Sequence, residues 1–209
     1  VIAVDPAGAA CLKASLEAGE VTTVSKINTI ADGTAVQTPG DKLFPYLQAN
    51  VDHVITVDDS ELTLSFLDMA ENHKMIVENS GLLTVAALKH LDFKGKKVVS
   101  VLSGGNMDVL TMATVVQNGL MQRDRIFTVS VMLPDKPGQL AAVSSLIAKE
   151  QGNVIKLEHN VFANVNRTAG VELTITLESF GTEHKDQIIK ALEAAGYCPV
   201  ITKTNGIYM

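Results

Sequence analysis

The chain has 209 residues, 46% of them hydrophobic and 19% charged, which is enough apolar material for one or two globular domains. A formal net charge of −6 excludes a polyphosphate partner recognised through clustered cations, so no nucleic-acid partner is expected. The apolar runs, such as residues 82–88, stop well short of the roughly 20 residues of a bilayer span, and no charged-then-apolar leader opens the chain; no membrane partner and a cytoplasmic location are expected.

Residues 1–4 read as a buried parallel strand, which also makes the chain look like a portion of a longer protein. Cys11 and Cys198 lack CxxC spacing, so neither a disulfide framework nor a zinc cluster is supported. Residues 54–57 and 98–102 are further strand candidates. Between these two, Asp58 and Asp59 read as N-caps of a helix to about residue 72, with Leu62, Phe66 and Met69 on its apolar face. Another helix follows Ser80, and a third covers about residues 109–120. This alternation predicts a partial parallel-sheet α/β domain over residues 1–122, ending at the polar segment Gln122-Arg123-Asp124-Arg125.

From residue 126 the pattern becomes strand, helix, strand, strand, helix, strand, which predicts a ferredoxin-like βαββαβ domain over residues 126–209. Phe127, Val129, Val131 and Leu133 alternate on the first strand, and Leu140, Val143, Leu146 and Ile147 recur at helical spacing before Gly152. A strand is expected over residues 153–162, then a turn containing Asn164, Asn166 and Gly170, then a half-buried strand alternating Val171, Leu173, Ile175 and Leu177 with polar residues. Ile188, Ile189 and Leu192 stripe the second helix, Gly196 ends it, and residues 197–202 complete the sheet.

Ser103-Gly104-Gly105-Asn106 follows the candidate strand at residues 98–102. Ligands gather beyond the carboxyl ends of parallel strands and glycines let backbone approach them, so the tetrapeptide reads as a ligand loop or, equally well in isolation, as a tight turn. His53, His73, His90, His159 and His184 have no ligand spacing and read as surface or satisfied histidines.

Five segments in order carry a resemblance: Asp5-Pro6-Ala7-Gly8-Ala9-Ala10; Thr29-Ile30-Ala31-Asp32-Gly33; residues 51–54 leading into Val57-Asp58-Asp59-Ser60-Glu61; Glu78-Asn79-Ser80-Gly81; and Ser103-Gly104-Gly105-Asn106. Over these the chain resembles the C-terminal part of the catalytic domain of serine and threonine dehydratases (threonine ammonia-lyases), fold-type II pyridoxal-phosphate enzymes, and residues 126–209 resemble an ACT regulatory domain. The resemblance implies pyridoxal phosphate as cofactor, with Ser103 bonded to its pyridine nitrogen and Gly104, Gly105 and Asn106 shaping the wall beside the ring. A neutral hydroxyl on that nitrogen moderates the electron sink and favours elimination over transamination. Glu78 either joins the network around the ring or caps the helix after Ser80. Asp5 and the backbone of Ala9 align with cation-binding positions of some relatives, but the third ligand falls at Cys11; since a hard cation prefers oxygen, no metal is expected and Asp5 reads as a helix-start acid.

The family's cofactor lysine, in a Ser-Phe-Lys-type motif, and its glycine-rich phosphate loop do not occur in this sequence, so no catalytic residue is assigned and the chain alone is expected to be inert. In the second domain the resemblance places a small amino-acid effector at Asp135, Pro137, Gly138, Gln139 and Leu140, with Asn153 as a polar partner, and implies a homo-oligomer. The leading reading is a threonine dehydratase portion whose partners are small amino acids, as substrate and effector. A non-enzymatic amino-acid-sensing or assembly module competes with it, and a nucleotide-binding protein using Ser103–Asn106 as a phosphate loop is the weaker third.

Overall fold

The computed structural model describes residues 1–160 and 170–204. The chain divides into two compact units, Val1–Val116 and Gln117–Met209, the division falling ahead of the polar segment at residues 122–125.

In the first unit, β1 (Ile2–Pro6) and β2 (His53–Val57) form a parallel pair, with Ile2 opposite His53 and Pro6 opposite Val57. Parallel neighbours need a long crossover. Residues between them supply it with α1 (Cys11–Ala18) and α2 (Phe44–Asn50), two short helices absent from the sequence expectation. α3 (Asp59–Asp68) starts where expected and continues as a wider turn over Met69–His73. The Asp58 amide donates to Glu61 Oε2 at 2.9 Å, fixing the first turn. Leu62, Phe66 and Met69, spaced by one helical turn each, are buried in a core with Val57, Leu82, Ala86 and Val115. The helix expected after Ser80 is three short pieces, a 3₁₀ turn at Asn79–Leu82, α4 (Leu83–Ala86) and a second 3₁₀ turn at Ala87–His90. α5 spans Val109–Gln122.

One expectation is corrected here. Residues 98–102 form no strand: among the described residues the first sheet consists of β1 and β2 alone, and this segment has no hydrogen-bonded neighbour in it. Apolar β-branched content makes a strand only when a ladder partner is supplied. Instead Thr84 Oγ1 donates to the Val101 carbonyl at 2.9 Å, and Val99 is 87% exposed.

The second unit follows the expected order: β3 (Ile126–Leu133), α6 (Gln139–Lys149), β4 (Asn153–Asn160), β5 (Val171–Glu178), α7 (Thr182–Ala194) and β6 (Val200–Thr202). The sheet order is β4-β5-β3-β6, all antiparallel. Alternation puts Phe127, Val129, Val131 and Leu133 of β3 and Leu173, Ile175 and Leu177 of β5 against Val143, Ile147, Ile188 and Leu192 of the helices. The final strand is shorter than expected, and residues 161 and 162 of the third expected strand, with Asn164 and Asn166 of the turn, lie outside the described residues. Asp124, in the left-handed region at φ +54, accepts from Thr182 Oγ1 at 2.8 Å and pairs with Lys185 Nζ at 2.8 Å, tying the residues after α5 to the start of α7.

Candidate cofactor and ligand site

Three segments of the first unit, around residues 30–33, 78–80 and 106–111, enclose a cavity of about 360 Å3. Each is fastened by a named side chain. Asp59, expected as a helix cap, instead turns its carboxylate to the loop, accepting from Thr29 Oγ1 at 2.7 Å and the Ile30 amide at 3.1 Å. From the opposite side Asn79 Nδ2 donates to the Ile30 carbonyl at 3.0 Å. Asp108 caps α5, accepting from the Leu110 amide at 2.9 Å and the Thr111 amide at 3.0 Å. The Thr111 hydroxyl also bonds this carboxylate and, with the amides, holds it below the usual carboxylate range.

Glu78 is the keystone of the third wall. Its side chain does not cap the turn that follows it; Oε2 accepts from the Asn106 amide at 3.0 Å, and the Glu78 amide lies 3.4 Å from the Gly104 carbonyl. Gly104 sits at φ +74, and a Cβ there would stand 2.2 Å from the Glu78 carboxyl carbon. A Cβ on Gly81 would stand 1.7 Å from the Ser103 carbonyl oxygen. Gly81 therefore permits a backbone approach that no other residue allows, Gly104 leaves room for the Glu78 carboxylate, and the loop at residues 103–106 is closed onto the turn at residues 78–81.

Of the sequence-assigned cofactor residues, Glu78 and Asn106 line the cavity; Ser103, Gly104 and Gly105 are exposed and stand outside its lining. Asp59, Asn79 and Asp108 were missed as site-builders. Only Asp108 had a local signal, an acid immediately ahead of an apolar helical run. Asp5 is buried, and its carboxylate accepts from the Lys13 amide at 3.0 Å, serving the start of α1. Burial raises its pKa, partly offset by backbone amides, and burial together with the nearby Asp5 charge also raises that of the Cys11 thiol. Among the described residues no group of three or more His, Cys, Asp or Glu side chains is placed to hold a metal ion.

In the second unit, Asp135, Pro137 and Gly138 are exposed on the turn before α6, which Gly138 enters at φ +90, with Gln139 and Leu140 opening the helix. Asn153 is not with them. It pairs with Glu178, itself opposite Ile126, and its Nδ2 donates to Glu178 Oε2 at 3.1 Å, whereas the turn follows Leu133 at the other end of β3. Seven strand steps place the two about 24 Å apart within one chain.

The cavity also tests the group implied by the resemblance. Its lining holds three carboxylates, of Asp32, Glu78 and Asp108, and neither Lys nor Arg, and among the described residues none donates to the buried Asn79 Oδ1. A phosphate would be repelled there; a ring edge or a group bearing N–H fits. These residues thus fit the ring side of pyridoxal phosphate and leave its phosphate to other parts of a protein.

Both units of the chain are similar to known proteins. Residues 1–104 match the family model described as pyridoxal-phosphate dependent enzyme, and residues 127–196 match the ACT domain. An L-threonine ammonia-lyase of Geobacter sulfurreducens is 35% identical over 97% of this chain and 51% of its own length. Another from Thermotoga maritima is 33% identical over 94% of this chain and 49% of its own. The solved structure of the processed form of threonine deaminase isoform 2 from Solanum lycopersicum aligns with a TM-score of 0.51 at 28% identity, covering 56% of this chain and 35% of that one. The chain spans about half the length of the curated relatives it matches. It belongs, over residues 1–104, to the pyridoxal-phosphate-dependent enzymes of fold type II, and carries an ACT domain over residues 127–196.

Proposed function

We propose that this chain is the C-terminal portion of a cytoplasmic threonine dehydratase that converts L-threonine to 2-oxobutanoate and ammonia, regulated through its ACT domain. The observation that carries the reading is the Glu78 wall: a carboxylate bonded to the Asn106 amide closes the Ser103–Asn106 loop beside a cavity that lacks cations. Similarity to L-threonine ammonia-lyases along nearly the whole chain supports it.

Pyridoxal phosphate, when bound, supplies the electron sink that a β-elimination requires. The chain's own part is orientation. Ser103 would hydrogen-bond the ring nitrogen, Gly104 and Gly105 bring backbone close to the ring, and Asn106 and Glu78 form the adjoining wall. No lysine of this chain stands in a Ser-Phe-Lys context, so residues 1–209 alone are catalytically inert and the complete protein supplies the reacting amine. In the ACT domain, residues 126–209, Asp135, Pro137, Gly138, Gln139 and Leu140 offer an ammonium partner and free helix-start amides to a small amino acid. Asn153 joins that site only from a second copy, since within one chain it lies at the opposite end of the sheet. A homo-oligomer pairing ACT domains therefore completes the effector site, with a coupling of about 1 to 3 kcal/mol to activity.

The test is direct. The complete protein, assayed with L-threonine, releases 2-oxobutanoate and shows the visible absorbance of bound cofactor, whereas the 209-residue chain releases none. A complete protein that neither binds pyridoxal phosphate nor deaminates threonine refutes the reading.

A further inference from the structure

Residues 19–43, between α1 and α2, hold no regular structure beyond a single 3₁₀ turn at Asp32–Thr34, yet residues 30–33 form one wall of the cavity. A stretch that long does not place itself; bonds from outside it must do so. The Asn28 amide donates to the Gly8 carbonyl at 2.9 Å. Ile30 is gripped on both sides, its carbonyl by Asn79 Nδ2 at 3.0 Å and its amide by Asp59 Oδ2 at 3.1 Å. Asp59 Oδ1 also accepts from Thr29 Oγ1 at 2.7 Å, and that hydroxyl oxygen receives the Ala31 amide at 3.2 Å.

Asp59 is free for this role because α3 does not need its side chain. The start of that helix is closed by the capping box of Asp58 and Glu61, the Asp58 amide donating to Glu61 Oε2 at 2.9 Å. Leu62 and Phe66 of the same helix are buried in the core, so the Asp59 carboxylate is presented from a packed base. Beyond Ile30 the wall seats on the Glu78 segment: a Cβ on Gly33 would stand 2.9 Å from Ser80 Oγ and 3.6 Å from Glu78 Oε1. Release of the wall therefore separates it from Glu78 and loosens the cavity. We propose that Asp59 is a positioning residue of the cofactor site, holding residues 30–33 against Ser80 and Glu78 through Thr29 and Ile30. The assignment rests on the cofactor-dependent function proposed above and adds the group that sets the width of the ring site.

Asp59→Ala removes both bonds; Glu61→Ala opens the cap of the same helix and is the control for helix stability. In the complete protein, the Kd of pyridoxal phosphate is read from visible absorbance well below the unfolding temperature. Amide exchange of the cofactor-free form compares the wall at Ile30 with the core at Phe66. Asp59→Ala is expected to weaken the cofactor by about 10-fold and to speed Ile30 exchange by about 10-fold beyond any change at Phe66, the worth of one charge-assisted hydrogen bond. Glu61→Ala leaves both within about 2-fold, whatever it does to unfolding. Asp59→Asn, which keeps one acceptor, falls between at about 3-fold and carries the test if Asp59→Ala does not fold. Cofactor affinity unchanged in the Asp59 variants, or weakened equally by Glu61→Ala, overturns the proposal. If the Asp59 variants keep their cofactor while the wild type deaminates L-threonine, this inference fails and the function stands. If the wild type binds no pyridoxal phosphate, the function fails, and Ile30 exchange alone decides whether Asp59 holds the wall.

Discussion

Replacing Gly104 by alanine tests the closure of the Ser103–Asn106 loop most sharply. An L-residue held at φ +74 costs about 1 to 2 kcal/mol of backbone strain. The new Cβ also stands 2.2 Å from the Glu78 carboxyl carbon, so that side chain swings away and gives up the Asn106 amide. That bond is exposed and contributes at most about 1 kcal/mol, bringing the single-variant loss to about 2 to 3 kcal/mol. With Glu78→Ala already in place only the backbone part remains, so Gly104→Ala then costs about 1 to 2 kcal/mol and the pair couples by about 1 kcal/mol. Native-state amide exchange on the full chain reads both the local opening at Asn106 and the stability of the surrounding core. Equal cost of Gly104→Ala in the two backgrounds, or a cost below about 0.5 kcal/mol in the wild type, refutes the contact between Gly104 and Glu78.

Two further outcomes concern the second unit. Burial works to raise the Asp124 pKa, but bonds from Lys185 and Thr182 and the Lys185 charge outweigh it and hold the group below the usual carboxylate range. Its contribution to stability is present above the unfolded carboxylate pKa and is lost as pH falls through the lowered folded value. Asp124→Asn should cost about 1 kcal/mol near neutral pH and nothing in strong acid, read from urea midpoints; a constant difference across pH contradicts the assignment. His184 is buried, accepting from the Phe180 amide at Nδ1 at 3.0 Å and meeting the Glu150 carbonyl through Nε2 at 2.6 Å. His184→Phe keeps ring volume but orphans both groups, and thermal unfolding should show a loss of about 1 to 3 kcal/mol, against no change if the bonds are idle.

Legibility differed between the two units for a physical reason. The ACT half was readable because apolar residues alternate with polar ones along Phe127–Leu133 and Val171–Leu177, which marks both element and orientation even where Thr128, Ser130 and Thr176 of the other face are themselves buried. The first half was harder. Parallel strands are apolar throughout, and residues 98–102 are as rich in apolar β-branched residues as β2 without acquiring a ladder. α1 and α2 are only eight and seven residues long and escaped notice. Glu78 was a site candidate through the family resemblance carried by Glu78-Asn79-Ser80-Gly81, while its alternative role as a helix cap gave way to the Asn106 contact.

Local patterning therefore determined the βαββαβ order, because turn glycines, caps and apolar periods act over a few residues, while the family and its loop residues were reached through the resemblance of five ordered segments. Partnership across the chain was settled only in three dimensions: Asp59 reaching back to Ile30, Asn79 donating to the Ile30 carbonyl from the opposite side, and Asn153 separated from the turn it was assigned to join. These depend on loop closure over tens of residues, and a single sequence carries no signal for which side chain a distant backbone group will meet.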